Sequence, residues 1–268
     1  MNRFKSIVGL SLLSALLLCA VAAQSAQAAW EPATNLTAYT CVPGGGGLDF
    51  TDAHCDHQVT PGTGSFGHEK IANGVKTEIE TSNKQTASET TAAQPAVLKS
   101  TILGNAVTIT CKKVEPDTNA TSFIINEEPS AEKHNAHGTS AVNFTECNVE
   151  GNGKACSVAE PITLKTLFEG VEEPNTKGMA IEFKPDPAGE PYVTIKFTGT
   201  CLLSEAKVTG LARGTGSGTT GGGATLEFKP EDEELFFAGV KATFEGKFTT
   251  RMAGGGNPIT FTTTGQEI

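Results

Sequence analysis

Several features that mark enzymes, nucleic-acid-binding proteins and membrane proteins are missing from this 268-residue chain. No apolar run long enough to cross a bilayer follows residue 28, so no membrane association is expected after signal cleavage. Lys and Arg number 20 against 30 Asp and Glu, which disfavours binding to nucleic acid. No Cys-x-x-Cys, Gly-x-Ser-x-Gly or phosphate-loop motif is present. The sequence therefore indicates no cofactor and no catalytic residue, and it leaves the partner unknown.

The N-terminus has the three-part layout of a cleavable signal peptide, predicted over residues 1–28. Arg3 and Lys5 precede an apolar run, and the small residues Ala26 and Ala28 follow it. Because the removed segment carries two basic residues and no acidic one, the formal net charge moves from −10 to −12. The sequence thus predicts a secreted, acidic, extracellular protein, free in solution or associated with the cell envelope.

Apolar and polar residues alternate with a period of two along most of the remaining chain. Val107, Ile109 and Cys111 share one parity, and Thr108 and Thr110 occupy the other. Gly- and Pro-rich stretches separate such runs, and no segment supports a long amphipathic helix. We therefore predict an all-β protein, in the form of an antiparallel β-sandwich or a barrel-like domain.

The chain is predicted to divide into a small module and a large domain. Residues 29–70 show little alternation and are expected to form a loop-rich module held by a Cys41–Cys55 disulfide. Residues 71–268 are expected to form the β domain. Its Gly-rich tract at 214–223 is predicted to be a hairpin tip.

Six cysteines remain after signal cleavage, and an exported chain is expected to pair all of them. Proximity and pattern favour three bridges, which are Cys41–Cys55, Cys147–Cys156 and, by elimination, Cys111–Cys201. Cys111 and Cys201 each end an inward-facing row, so one core could hold both. Cys147, however, has the opposite parity to Phe144, which requires a bulge or a strand facing two ways. This keeps a competing arrangement open, with Cys111–Cys147 and Cys156–Cys201.

The densest group of metal-ligating side chains lies between Asp49 and His68. Its weak candidate ligands are Asp52, His54, Asp56 and His57. Their spacing matches no metal motif, so a solvated acidic loop is favoured and no metal site is assigned. The leading hypothesis is a secreted non-enzymatic structural or interaction protein of the bacterial envelope or extracellular space. The alternative is a secreted hydrolase or metal-binding protein that uses this loop.

Five short cysteine-containing stretches carry a resemblance to a known group of proteins. They are residues 48–55, 107–111, 142–147, 155–156 and 195–201. With them the chain resembles a multi-copy family of secreted, disulfide-containing, β-rich proteins of high-G+C Gram-positive bacteria. That family has no assigned activity, so the resemblance implies the disulfide framework and no catalytic residue.

Overall fold

The computed structural model describes residues 30–33, 35–45, 47–55, 57–84, 94–127, 134–172, 179–216, 225–230 and 234–262. The predicted signal peptide and most of the predicted Gly-rich tip lie outside these residues. Every regular element in the described ranges is a strand. The strands are β1 (Glu31–Pro32), β2 (Asn35–Pro43), β3 (Phe66–Lys70), β4 (Thr77–Ser82), β5 (Ala96–Ile102), β6 (Asn105–Pro116), β7 (Ser122–Asn126), β8 (His134–Glu150), β9 (Ala155–Val158), β10 (Ile162–Glu172), β11 (Met179–Pro185), β12 (Val193–Thr200), β13 (Glu205–Gly216), β14 (Thr225–Phe228), β15 (Glu234–Phe237), β16 (Val240–Met252) and β17 (Ile259–Thr262).

Eight strand positions close on themselves to form an antiparallel barrel. Around the ring, β5 pairs with β6, β6 with β8, β8 with β10, β10 with β11, and β11 with β13. β14 and β15 share the next position, between β13 and β16, and β16 returns to β5. At Phe144 of β8 both edges are occupied, by Val114 of β6 and Ile162 of β10. The all-β, barrel-like prediction is confirmed.

Closure of the ring explains the two-sided pattern of the long strands. Alternate residues face inward, where a closed barrel buries them, and the intervening residues face outward. Along β6, Val107, Ile109 and Cys111 are buried, as their shared parity predicts. A second path, through β4 and β7, joins β16 to β8 at one end of the barrel. The long strands therefore have few free edges at which another chain could pair.

The N-terminal residues combine with the end of the described chain. β2 lies between β3 and β17 in a small antiparallel sheet. Under it a separate core forms around the disulfide Cys41–Cys55, with Phe50 buried and Phe66 packed against it. Leu36 of β2, in contrast, belongs to the core of the barrel.

The disulfides correct the preferred pairing of the other four cysteines. Cys111 bonds to Cys147, and Cys156 bonds to Cys201, which is the competing arrangement. The reason is strand topology, because Cys111 and Cys147 lie directly opposite each other on β6 and β8, with 3.9 Å between their Cα atoms. Sequence proximity between Cys147 and Cys156 was the wrong criterion.

The parity problem at Cys147 has a local cause. Glu146, the residue before it, has a φ of 54°, which breaks simple alternation in β8. The backbone N–H groups of Glu146 and Cys147 both donate to the Glu160 carboxylate. Both Phe144 and Cys147 consequently contact the barrel core.

Candidate functional site

A cavity of about 140 Å³ lies inside the barrel. Every position of the ring contributes side chains to its wall. Representative lining residues are Leu98, Ile109, Val142, Leu164, Leu226 and Phe244. An eight-stranded barrel is just wide enough for its own side chains to fill it or for one small ligand to replace some of them.

The cavity results from an uneven distribution of side-chain size. Four phenylalanines from β11, β14 and β16 cluster on one side, with neighbouring ring centroids 5.4 to 5.9 Å apart. They are Phe183, Phe228, Phe244 and Phe248. Ala96 on β5 and Ala212 on β13 are the smallest side chains of the wall. The small side chains leave space that the clustered rings do not fill.

Among the residues that the structure describes, no Asp, Glu, Lys, Arg or His belongs to the wall of this cavity. Tyr192 lines it, but its hydroxyl donates to the Phe183 carbonyl and accepts from the Ala212 N–H. The remaining polar lining residues are Thr81, Ser140 and Thr166, all of them hydroxyl-bearing. The arrangement can hold an apolar molecule by burial, and it offers no charged group for acid–base chemistry.

Strand register places two of these hydroxyls side by side. Ser140 of β8 lies directly opposite Thr166 of β10. The Thr166 hydroxyl donates to the Ser140 carbonyl at 3.2 Å, and the Thr81 hydroxyl lies 3.0 Å from that of Thr250. The cavity therefore presents almost no polar surface to a bound molecule.

The loop proposed from sequence as a metal or hydrolase site is organised as a turn. The Asp52 carboxylate accepts from the backbone N–H groups of His54 and His57, at 3.0 and 2.8 Å. It also lies 3.2 Å from Nδ1 of His57. Such bonds from Asp to nearby backbone groups are typical of loop turns and use the oxygens that a metal would need.

The candidate ligands do not converge on one point. Nε2 of the buried His54 lies 3.4 Å from the Arg251 guanidinium, a positive group that opposes a cation there. Asp56 lies outside the described residues. Among the residues that the structure describes, no three His, Cys, Asp or Glu side chains come together as a metal site.

His68 lies beside Thr260 in a superficially catalytic arrangement. Nε2 of His68 is 3.3 Å from the Thr260 hydroxyl, but Thr260 is fully buried and cannot reach a substrate. Nδ1 of His68 has no hydrogen-bond partner, so no carboxylate orients the ring. The ring packs between Tyr39 and Phe50, and burial lowers the pKa of the imidazole against the opposing effect of Asp49. The contacts describe a core histidine.

Neither the cavity nor a set of buried asparagines was predicted from the sequence. The side-chain amides of these asparagines bond to backbone groups in place of a neighbouring strand. Asn126 is 2 % exposed and bonds to both backbone groups of Ala38 and to the Ile71 carbonyl. Asn83 makes equivalent bonds to the backbone near β6. The sequence does contain a pattern that would have indicated them, which is an Asn two residues from a core residue of a strand. In Ile124-Ile125-Asn126, Asn126 faces the same side of the strand as Ile124.

Comparison of the chain with protein-family models, with curated proteins and with solved structures finds no match. In the described part of the chain, no helix has the length and apolar character needed to span a membrane. Three intramolecular disulfides are consistent with an extracellular location.

Proposed function

We propose that this protein is a secreted, non-enzymatic binding protein that holds one small apolar molecule inside its barrel. The observation that carries the proposal is the cavity of about 140 Å³ with an apolar wall. An apolar protein cavity of about 150 Å³ is large enough to bind benzene and stays dry when empty. The volume therefore favours a ligand of six to eight heavy atoms, smaller than the usual drug-sized molecule.

The energetics of an empty cavity support the same conclusion. At about 24 cal/mol per Å³, a void of this size forfeits on the order of 3 kcal/mol of packing. That is a large fraction of the 5 to 15 kcal/mol by which a typical domain is stable. A ligand that fills the space recovers part of this loss without any change in the barrel.

The remaining features fit a carrier that acts outside the cell. The N-terminal layout predicts export, and the disulfide Cys111–Cys147 joins two strands of the barrel while Cys156–Cys201 joins β9 to the end of β12. Cys111 itself lines the cavity, and its bond to Cys147 links β6 to β8 across one wall. Such a link supports a preformed cavity, which lowers the ordering cost of binding.

The test is binding of toluene to the mature protein, measured by calorimetry and by thermal unfolding. Saturation at 100 times the dissociation constant stabilises by about 2.7 kcal/mol, which raises the Tm by about 5 to 11 °C at about 2 to 4 °C per kcal/mol. Ala96→Ile places a branched side chain in the cavity and should abolish this shift. Ala106→Ile makes the same change at an exposed position of β6 and should leave the toluene-induced rise in Tm unchanged. No binding of toluene by the unmodified protein would refute the proposal.

A further inference from the structure

One end of the barrel is formed by four short loops that lie side by side. They join β5 to β6, β8 to β9, β12 to β13 and β15 to β16, at residues 103–104, 151–154, 201–204 and 238–239. The Leu202 N–H donates to the Asn152 carbonyl. The Ala238 N–H donates to the Lys207 carbonyl. Because β5 also ends beside the start of β16, and β6 starts beside the end of β8, the four loops form one surface, which we call the loop end.

The loop end carries most of the exposed large apolar side chains. In the described part of the chain there are five, and four of them lie here, which are Leu103, Leu202, Phe236 and Val240. The most exposed is Leu103, with 83 % of its surface in solvent. Apolar surface gathered at one place on a protein commonly marks a site of interaction.

The fold does not account for a leucine at position 103. Leu103 and Gly104 both have a positive φ, of 50° and 80°, as in a tight hairpin turn that favours Asn-Gly. A leucine in this conformation is unfavourable, and its exposed side chain adds nothing to the core. The apolar group at the tip of this hairpin is therefore explained by a contact outside the molecule.

The charge of the loop end is opposite to that of the whole protein. Within three residues of the four loops lie Lys154, Lys207 and Lys241, against Glu150 and Glu205, whereas the mature chain has a net charge of −12. The three lysines are exposed, and none of them forms an ion pair with a described residue. An anionic surface thus attracts this end and repels the acidic remainder, which orients the molecule.

We propose that the loop end docks the protein on the surface of a lipid bilayer that contains anionic phospholipid. Apolar side chains on separate loops can each insert among the lipid head groups, and the neighbouring lysines can contact the phosphates. A partner protein that adds a strand would need a free edge, and the long strands have few. Such docking needs no membrane-spanning segment, and the prediction of no membrane association was based on the lack of one.

Co-sedimentation of the mature protein with vesicles tests the apolar contribution. Vesicles of equal parts phosphatidylglycerol and phosphatidylcholine should bind the protein. Leu103→Asn should weaken this binding about tenfold, because an inserted apolar side chain is lost. Asn suits the positive φ of the turn, so the Tm of Leu103→Asn should not fall. Val75→Asn removes an exposed apolar side chain outside the loop end and should leave vesicle binding unchanged.

The same assay tests the lysines. Vesicles of phosphatidylcholine alone should bind the protein at least about fivefold more weakly than the mixed vesicles. Lys207→Gln should weaken binding to the mixed vesicles about fivefold. Lys112→Gln, at an exposed position well inside β6, is the matched control and should have no effect.

Four outcomes would overturn the inference. They are the absence of binding to the mixed vesicles, equal binding to both kinds of vesicle, equal binding by Leu103→Asn and Val75→Asn, and a lipid-free dimer that Leu103→Asn dissociates in light scattering. The last result would assign the loop end to a second copy of this chain. Binding of toluene is independent of all four outcomes, so the proposed function would remain in place.

Discussion

Asn126 provides the sharpest test of how the barrel is joined to the N-terminal strand β2. Its Oδ1 accepts from the Ala38 N–H at 2.8 Å, and its Nδ2 donates to the carbonyls of Ala38 and Ile71, at 2.9 and 2.7 Å. The side chain thus takes the place of a peptide group at a point where β7 ends. Asn126→Ala removes all three bonds and leaves one donor and two acceptors buried.

The expected cost follows from those three groups. Each buried polar group left without a partner costs about 1 to 3 kcal/mol, so the sum is about 3 to 6 kcal/mol after allowance for water entering the vacated space. Asn126→Asp keeps the acceptor but sets a carboxylate against two carbonyl oxygens. Burial and this repulsion raise the pKa of the new carboxyl group, so its folded form binds the proton more tightly than its unfolded form. The destabilisation by Asn126→Asp should therefore grow as the pH rises above about 3.9.

The assay is urea unfolding of the mature protein and both variants, followed by circular dichroism and extrapolated to zero denaturant. Asn257→Asp, at an exposed position, is the matched control and should change the free energy of unfolding by less than about 0.5 kcal/mol. If Asn126→Ala costs no more than this control, the bonds of Asn126 do not hold β2 to the barrel and the reasoning is wrong.

Three further outcomes are expected from the same unfolding measurements. Cys156→Ala/Cys201→Ala should cost up to about 4 kcal/mol, because the bridge closes a separation of 45 residues, and an unchanged midpoint would contradict this. Arg213→Met should cost about 1.5 to 3 kcal/mol, because the buried Glu182 loses its 2.8 Å partner and keeps only Lys184 at 3.2 Å, and removing both charges should cost less. Because the pKa of His68 is lowered in the fold, the unfolded chain takes up its proton first, so stability should fall as the pH drops below 6.5. His68→Phe should flatten that pH dependence, and an unaltered slope would assign it to other groups.

The strands of the barrel could be predicted from the sequence because their signal is local. Alternation in β6 and β12 depends only on which side of a pleated strand faces the core, and Ile109 and Ile195 are both buried as it requires. Which strands become neighbours is a long-range property that alternation does not contain. The same limit applies to the cysteines, since Cys111 and Cys147 are recognisable as partners only once β6 and β8 are known to pair.

The candidate site was missed for a related reason. The inward row Ser140, Val142, Phe144 has the pattern of an ordinary strand with one polar residue, and so has the row Ile162, Leu164, Thr166, Phe168 on β10. Only the register that sets Ser140 opposite Thr166 shows that the Thr166 hydroxyl bonds to the carbonyl of the neighbouring strand. A shift of one residue would turn either hydroxyl to the outer surface. Which side chains form the wall of the cavity is therefore decided by strand register rather than by the composition of the chain.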